Sequence, residues 1–395
     1  LAMVGMVLVP DTILRSLAAG AILVGLTTMV AALTLLPAVL ALIGDKVNAL
    51  RVPWLGRRIE QSAGAEGRVW SRVVRGVTRA PALAAALSAG ALLVAALPVL
   101  GLETSLTGVR DLPDRFPSKQ GFLLLEEELG VGTVDSVEVV VEGDVRSEKV
   151  GEALDELVRR MRADEAFRNP ELSTSPDGEL ASVEALMVGD SRDEGALAAV
   201  ERLRETTLPE LFEGLGVEAL VTGETAEVID YRELADTWLP IVFVFVLLLS
   251  FVLLTLAFRS LVLAAVAIGL NLLSVGAAYG LIVLVFLEDV GRELLGFTEV
   301  DAIAAWLPLF LFAVLFGLSM DYTVFLLSRV RERYAAGGST TDAVSYAVGS
   351  TARLITGAAL IIIAVFVGFA AGDQVEFQQM GFGVAVSLLL DATLI

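Results

Sequence analysis

The sequence predicts a polytopic α-helical membrane protein carrying one water-soluble α+β domain. Three observations predict it. Of its 395 residues, 56% are hydrophobic, and the mean hydropathy is +0.76. Several apolar runs exceed the ~18–20 residues needed to cross a bilayer. The net charge of −20 is concentrated, because residues 103–236 hold 33 acidic and 13 basic side chains. So polar a block between apolar runs requires water around it. Inside that block the pattern also changes, from unbroken apolar runs to strand-like and helix-like alternation.

Residues 1–43 read as the end of one span, turned at Pro10-Asp11, followed by a full span over 17–43. Residues 44–79 form a linker with Lys46, Arg51, Arg57, Arg58, Arg68, Arg72, Arg75 and Arg79 against three acids. Positive residues stay on the cytoplasmic side, so the linker is expected inside. Arg68, Arg72, Arg75 and Arg79 fall at helical spacing beside Val69, Trp70, Val73, Val74 and Val77. That pattern suits either a basic amphipathic helix on an anionic inner leaflet or a solvated cytoplasmic helix.

Residues 80–101 form the next span, directed outward, which makes 102–236 extracytoplasmic. Within this domain 134–142 alternates as a strand, and 147–162 follows as a charged amphipathic helix. A second strand is expected over 181–188, a second helix over 192–206 and a third strand over 217–221. The order β-α-β-α-β suggests a small open sheet of ferredoxin-like character. Gly223 is read as a turn before the chain re-enters the membrane.

Residues 237–395 hold five spans, the last truncated. A span over 239–258 ends at a tight Arg259-Ser260 turn, and 261–287 returns outward. An acidic outer loop covers 288–301, and 302–328 comes inward to Arg329, Arg331 and Arg333. A cytoplasmic connection over 335–352 is expected to hold a short helix capped by Thr340 or Thr341. A span over 354–371 follows, then a turn at Gly372-Asp373, and the last span begins at Met380. Arg259, Arg353 and the arginine cluster all land on the linker's side. Both ends of the chain lie inside apolar runs, as expected for a piece of a longer protein. Leu17-Ala-Ala-Gly20 and Met380-Gly-Phe-Gly383 each open a span after a short outer turn, a slight echo of a parallel repeat.

The functional signal is Asp321. At ~1.5 Å per residue it lies roughly 12 Å before the arginine cluster, near the middle of a hydrocarbon layer about 30 Å thick. An acid at that depth is costly and is kept where something titrates, pairs or passes. Asp391, eleven residues into the last span, lies ~16 Å deep by the same rise. Either the two acids share one polar pathway, or Asp391 only faces Ser387, Thr393 or another neighbour. The chain has no cysteine and no histidine. Disulfides, thiolate metal sites and imidazole proton shuttles are therefore excluded within it, and proton handling falls to carboxylates and tyrosines. No Gly-x-x-x-x-Gly-Lys-Ser/Thr loop is present, which argues against ATP drive within this chain.

Trp306-Leu-Pro-Leu-Phe-Leu-Phe-Ala-Val-Leu-Phe-Gly-Leu-Ser-Met-Asp-Tyr322, continuing through Phe325-Leu-Leu-Ser-Arg329, resembles the MMPL family of the RND transporter superfamily. That family includes the mycobacterial MmpL lipid exporters. Asn271-Leu-Leu-Ser-Val-Gly-Ala-Ala-Tyr279, Gly296-Phe-Thr298, Leu33-Thr-Leu-Leu-Pro-Ala38 and Leu390-Asp-Ala-Thr393 support the match. The resemblance implies two six-span halves, each with an extracytoplasmic porter domain after its first span. Residues 1–43 would then close the first half, and Pro81 would open the second. It also implies that Asp321 and Tyr322 form half of a proton relay whose other Asp-Tyr pair lies in the first half. Ser319 and Asp391 are candidates for a supporting polar path, and Gly317 for close helix packing.

The function so implied is proton-driven export of lipids or other hydrophobic molecules across a bacterial cytoplasmic membrane. It needs no cofactor or metal and no nucleic-acid partner. Expected partners are the hydrophobic substrate, the membrane, the first half of the same chain, and further copies or accessory proteins. Multidrug efflux is the alternative within transport. A sensor or protein-translocation accessory of the same fold is the alternative outside it. An intramembrane aspartyl protease is disfavoured, because no Gly-x-Gly-Asp element accompanies the acids and the large acidic domain would have no role.

Overall fold

The computed structural model describes residues 2–394 apart from 45, 47–69, 71, 107, 110, 111, 114, 130–135, 299 and 301. The chain begins with α1 (Ala2–Val7), α2 (Thr12–Leu33), α3 (Leu35–Ile43) and α4 (Pro81–Ala96). It continues through α5 (Pro117–Leu129), β1 (Ser136–Glu142), α6 (Glu148–Ala163), β2 (Phe167–Thr174) and β3 (Leu180–Met187). Then follow α7 (Glu194–Arg202), α8 (Leu208–Phe212), β4 (Glu218–Gly223) and α9 (Glu224–Phe258). The last elements are α10 (Leu261–Phe286), α11 (Arg292–Leu295), α12 (Leu307–Ala335), α13 (Thr340–Ala370) and α14 (Val375–Thr393). Two compact units result. One joins Leu1–Glu103 with Trp238–Ile395, and the other is Thr104–Thr237.

In the second unit the strands lie in the order β2-β3-β1-β4, and every neighbouring pair is antiparallel. With α6 and α7 the succession is β-α-β-β-α-β, the ferredoxin-like arrangement. The period of two in β1 turns Val137, Val139 and Val141 inward, and β3 does the same with Ala181, Val183, Ala185 and Met187. Helix α6 meets them with Val150, Ala153, Leu154, Leu157 and Met161, a stripe at helical spacing. Sequence reading missed β2. That strand sits at the sheet edge, carries Pro170 and Asn169 (φ +50°), and breaks register between Arg168 and Glu171. An edge strand tolerates proline because one of its sides needs no ladder bond. Gly223 ends β4 rather than forming a separate turn. Its φ is +119°, and a Cβ there would lie 2.2 Å from the Ser136 carbonyl oxygen.

Six helical stretches among the described residues are long and apolar enough to cross a membrane. They are Thr12–Ile43, Pro81–Gly101, Glu224–Phe258, Leu261–Phe286, Leu307–Ala335 and Thr340–Ala370. The protein is thus a multi-pass membrane protein. Helix α14 packs against α13, α10 and α12 but is not one of the six, since its first turns carry Glu376, Gln378 and Gln379.

Asp11 caps α2 by accepting from the Leu14 N–H at 2.7 Å. The Arg259-Ser260 turn is as expected: Arg259 has φ +55° and the Ser260 hydroxyl accepts from Leu263 N–H at 3.2 Å. The connection over 335–352 differs from expectation. There is no separate short helix: α13 runs unbroken from Thr340, and its cap is Ser339, whose hydroxyl accepts from Asp342 N–H. Neither Thr340 nor Thr341 caps it. Of the linker, residues 72–79 are helical and Val74 is buried, whereas Arg51, Arg57, Arg58 and Arg68 lie outside the described residues.

Candidate functional site

Helix α12 starts with Pro308 in its first turn, where a missing N–H costs nothing. Its core-facing side chains, Leu311, Phe312, Leu315, Phe316 and Ser319, are buried. Asp321 falls on the other side and is exposed, while Tyr322, turned about 100° further round the helix, is half-buried. Gly317, one turn before Asp321, is where α1 approaches: a Cβ there would lie 3.8 Å from that of Ala2. The α12 face carrying Asp321 is therefore continuous with the face that meets α1.

Two of the three arginines at the end of α12 fasten neighbouring helices. Arg331 donates to the Ala257 carbonyl near the end of α9 at 2.5 Å. Arg333 pairs with Asp342 of α13 at 2.8 Å and lies over the Tyr346 ring. Arg329 pairs with Glu332 of its own helix at 2.7 Å.

Asp391, near the end of α14, meets a second polar group of residues. The Ser274 hydroxyl of α10 donates to Asp391 Oδ1 at 2.5 Å, and Ser319 of α12 lies beside the same carboxylate. Asn271, one turn before Ser274, donates from Nδ2 to the Phe316 carbonyl of α12 at 3.1 Å. Ser274, Asn271 and Ser319 are 0%, 2% and 3% exposed, so three helices meet here through polar atoms in an apolar bundle. Asn271 Oδ1 and Asp391 Oδ2 are buried acceptors with no donor among the described residues. Buried acceptors without partners are costly.

A cavity of about 410 Å³ opens beside this cluster. Tyr322, Thr323 and Ser319 of α12, Thr351 of α13, Asp391 of α14 and Trp70 contribute to its lining, together with apolar residues of α10. Among the described residues its titratable lining groups are Tyr322 and Asp391. The structure thus brings Ser319, Tyr322 and Asp391 together and leaves Asp321 outside this cavity. Thr393 is no partner of Asp391, since its hydroxyl donates to the Leu389 carbonyl of its own helix. Sequence reading did not assign Ser274 or Asn271 to the site. The available signal was their spacing of three on a helix otherwise almost wholly apolar.

The model of a family described as the MMPL family matches residues 113–395. The chain belongs to the MMPL family. This is a family of transporters and not of enzymes. Among relatives, the mycolic acid-containing lipids exporter MmpL11 of Mycolicibacterium smegmatis is 36% identical, over 99% of this chain and 41% of its own length. The heme uptake protein MmpL11 of Mycobacterium tuberculosis is 35% identical, over 99% of this chain and 40% of its own. The trehalose monomycolate exporter MmpL3 of the same species is 27% identical, over 99% and 44%. This MMPL chain therefore spans well under half the length of these relatives.

Proposed function

We propose that this MMPL chain is the larger part of the second half of a proton-driven exporter of lipids or other hydrophobic molecules. Asp321 and Tyr322 supply half of its proton relay, and Ser319 and Asp391 extend the polar path inward. Residues 102–236 form a porter domain outside a bacterial cytoplasmic membrane, with the arginine-rich helix ends inside.

The observation that carries this reading is the pairing of a carboxylate exposed on the α12 face with a buried polar cluster on its far side. Tyr322 stands between them. A carboxylate that gains and loses a proton in a low-dielectric bundle changes the balance between two packings of its helices. Relatives named for lipid export favour a hydrophobic cargo, although heme uptake is named for others.

The test compares cells carrying the full-length protein, its Asp321→Asn variant and a deletion, by surface-lipid profile, drug sensitivity and growth on heme as iron source. Loss of one surface lipid with its accumulation inside, in both mutants, supports lipid export. Unchanged lipids with increased drug sensitivity would instead mean multidrug efflux, and failure to grow on heme would mean uptake. A trait changed by deletion but untouched by Asp321→Asn would leave the relay without a role, as in an accessory protein of the same fold.

A further inference from the structure

Helix α14 opens with two consecutive glutamines that are both buried: Gln378 is 5% exposed and Gln379 0%. Burying an amide costs free energy unless its polar atoms are satisfied. Here all four are. Gln378 Oε1 accepts from Thr298 N–H at 2.9 Å, and its Nε2 donates to the Gly372 carbonyl at 2.8 Å. Gln379 Oε1 accepts from Ala304 N–H at 3.1 Å, and its Nε2 donates to the Ala302 carbonyl at 3.3 Å. The outer loop before α12 is thus bonded through its backbone to one end of α14. Aromatic packing adds to this hold: Phe297 stacks on Phe286 of α10 at 5.0 Å and meets Phe382 of α14 edge-on at 5.7 Å.

The same loop is held from another side. Between the two residues bonded by Gln379, Ile303 donates its N–H to the Glu103 carbonyl at 2.9 Å. The next residue in the chain after Glu103 begins the α+β unit. Simple adhesion would need only apolar side chains here. Bonds from side-chain amides to backbone groups fix register as well as proximity. The other end of α14 holds Asp391, twelve residues or ~18 Å along a stiff helix.

We propose that α14 is a transmission element, with Gln378 and Gln379 as positioning residues. They carry a shift of α14, set by protonation of the relay, to the loop at 297–304 and so to Glu103, where the chain enters the α+β domain. This rests on the proton-driven reading above. Around Asp391 the facing groups among the described residues are Ser274 on α10, Ser319 and Tyr322 on α12 and Thr351 on α13, of which Tyr322 titrates.

The experiment uses the full-length protein in lipid nanodiscs, with spin labels on Glu201→Cys and Glu288→Cys and any other cysteine removed. Both positions are exposed. The distance between labels is measured at acidic and alkaline pH. The label pair in an otherwise unchanged protein should show a pH-dependent shift, and Asp321→Asn should abolish it. Gln379→Leu unpairs the buried Ala304 N–H and the Ala302 carbonyl and so lowers the unfolding midpoint. The folded protein should nevertheless keep a label distance that no longer moves with pH, whereas a merely structural role would leave the pH shift in place in the folded fraction. A full shift retained in Gln379→Leu overturns the transmission role. No shift in the parent overturns it together with the proton-driven reading. A shift that survives Asp321→Asn but is lost in Gln379→Leu overturns the relay alone. Should Gln379→Leu fail to accumulate, Gln378→Met, which removes the bonds to Thr298 and Gly372 without adding a titratable group, is read in its place with the same outcomes.

Discussion

The Ser274–Asp391 bond permits a quantitative test of the inner cluster. Ser274 has no exposed surface, and its hydroxyl bonds a carboxylate 117 positions away in sequence. Interhelical hydrogen bonds inside membranes average ~0.6 kcal/mol and reach about 1.7 kcal/mol, because the alternative state also finds partners. A carboxylate acceptor places this bond toward the upper end, since charge-assisted bonds are roughly twice as strong as neutral ones. Ser274→Ala should therefore cost about 1–1.7 kcal/mol, a factor of roughly 5–20 in the folding equilibrium. In an Asp391→Leu background the same substitution should cost almost nothing, giving a coupling energy of about 1 kcal/mol or more. The assay is reversible unfolding of the full-length protein in mixed micelles for both single variants and the double variant. A coupling below about 0.3 kcal/mol, the usual scatter of independent sites, would mean that the two side chains do not bond in the intact protein.

Three further outcomes follow from the packing and charge of the two units. Gly280→Ala would place a Cβ 2.0 Å from the Ala95 carbonyl oxygen of α4. A backbone atom cannot swing aside, so overpacking should cost ~1–3 kcal/mol; Gly269→Ala, which meets nothing within 4 Å, should be neutral or stabilising in the same unfolding assay. Leu157→Ala, at a position with 0% exposure in the core of the α+β domain, should cost about 2–5 kcal/mol, read as faster hydrogen exchange across α6 and β1 of the full-length protein. Asp164 is partly buried, which pushes its carboxyl up, but the Ala166 N–H and Arg202 outweigh that and hold it below its usual value. Its contribution is thus fully present above the unfolded value of about 4 and is lost as pH falls through the lower folded value; Asp164→Asn should flatten the acid limb of exchange at residues 164–167.

Much of the fold was legible because it depends on local pattern. Unbroken apolar runs gave the spans, and alternation gave β1 and β3. The Arg259-Ser260 and Gly372-Asp373 turns were visible from residue type alone. Strand β2 was not legible, because Asn169, Pro170 and the broken register mask its alternation. The first turns of α9 were hidden by their acidic residues, and α5 by its charged end. The site divides in the same way. Asp321 and Asp391 stand out as carboxylates in apolar runs. Which helix each one meets depends on packing between segments more than a hundred residues apart, and a serine on an apolar helix is ordinary until its partner is known. Gln378 and Gln379 fall just before the span expected from Met380 and are not singled out in sequence reading, whereas their amides are buried and fully bonded.

The two intramembrane carboxylates differ in how the chain treats them, and that difference bears on mechanism. Asp391 finds a hydroxyl donor, buried neighbours and a cavity within these residues. Asp321 is exposed on α12, on the side that α1 meets at Gly317. A carboxylate at mid-membrane depth costs at least ~2.5–3.5 kcal/mol when it faces lipid. The proposed relay places further protein against that face of α12. Consecutive positions on a helix diverge by about 100°. Tyr322 consequently turns from the exposed face toward the cavity that holds Asp391. In the proposed relay, a proton taken up at Asp321 would pass Tyr322, which lines the cavity. Asp321 would then be the group that meets a partner, Asp391 the group that α14 senses, and Tyr322 the side chain between them.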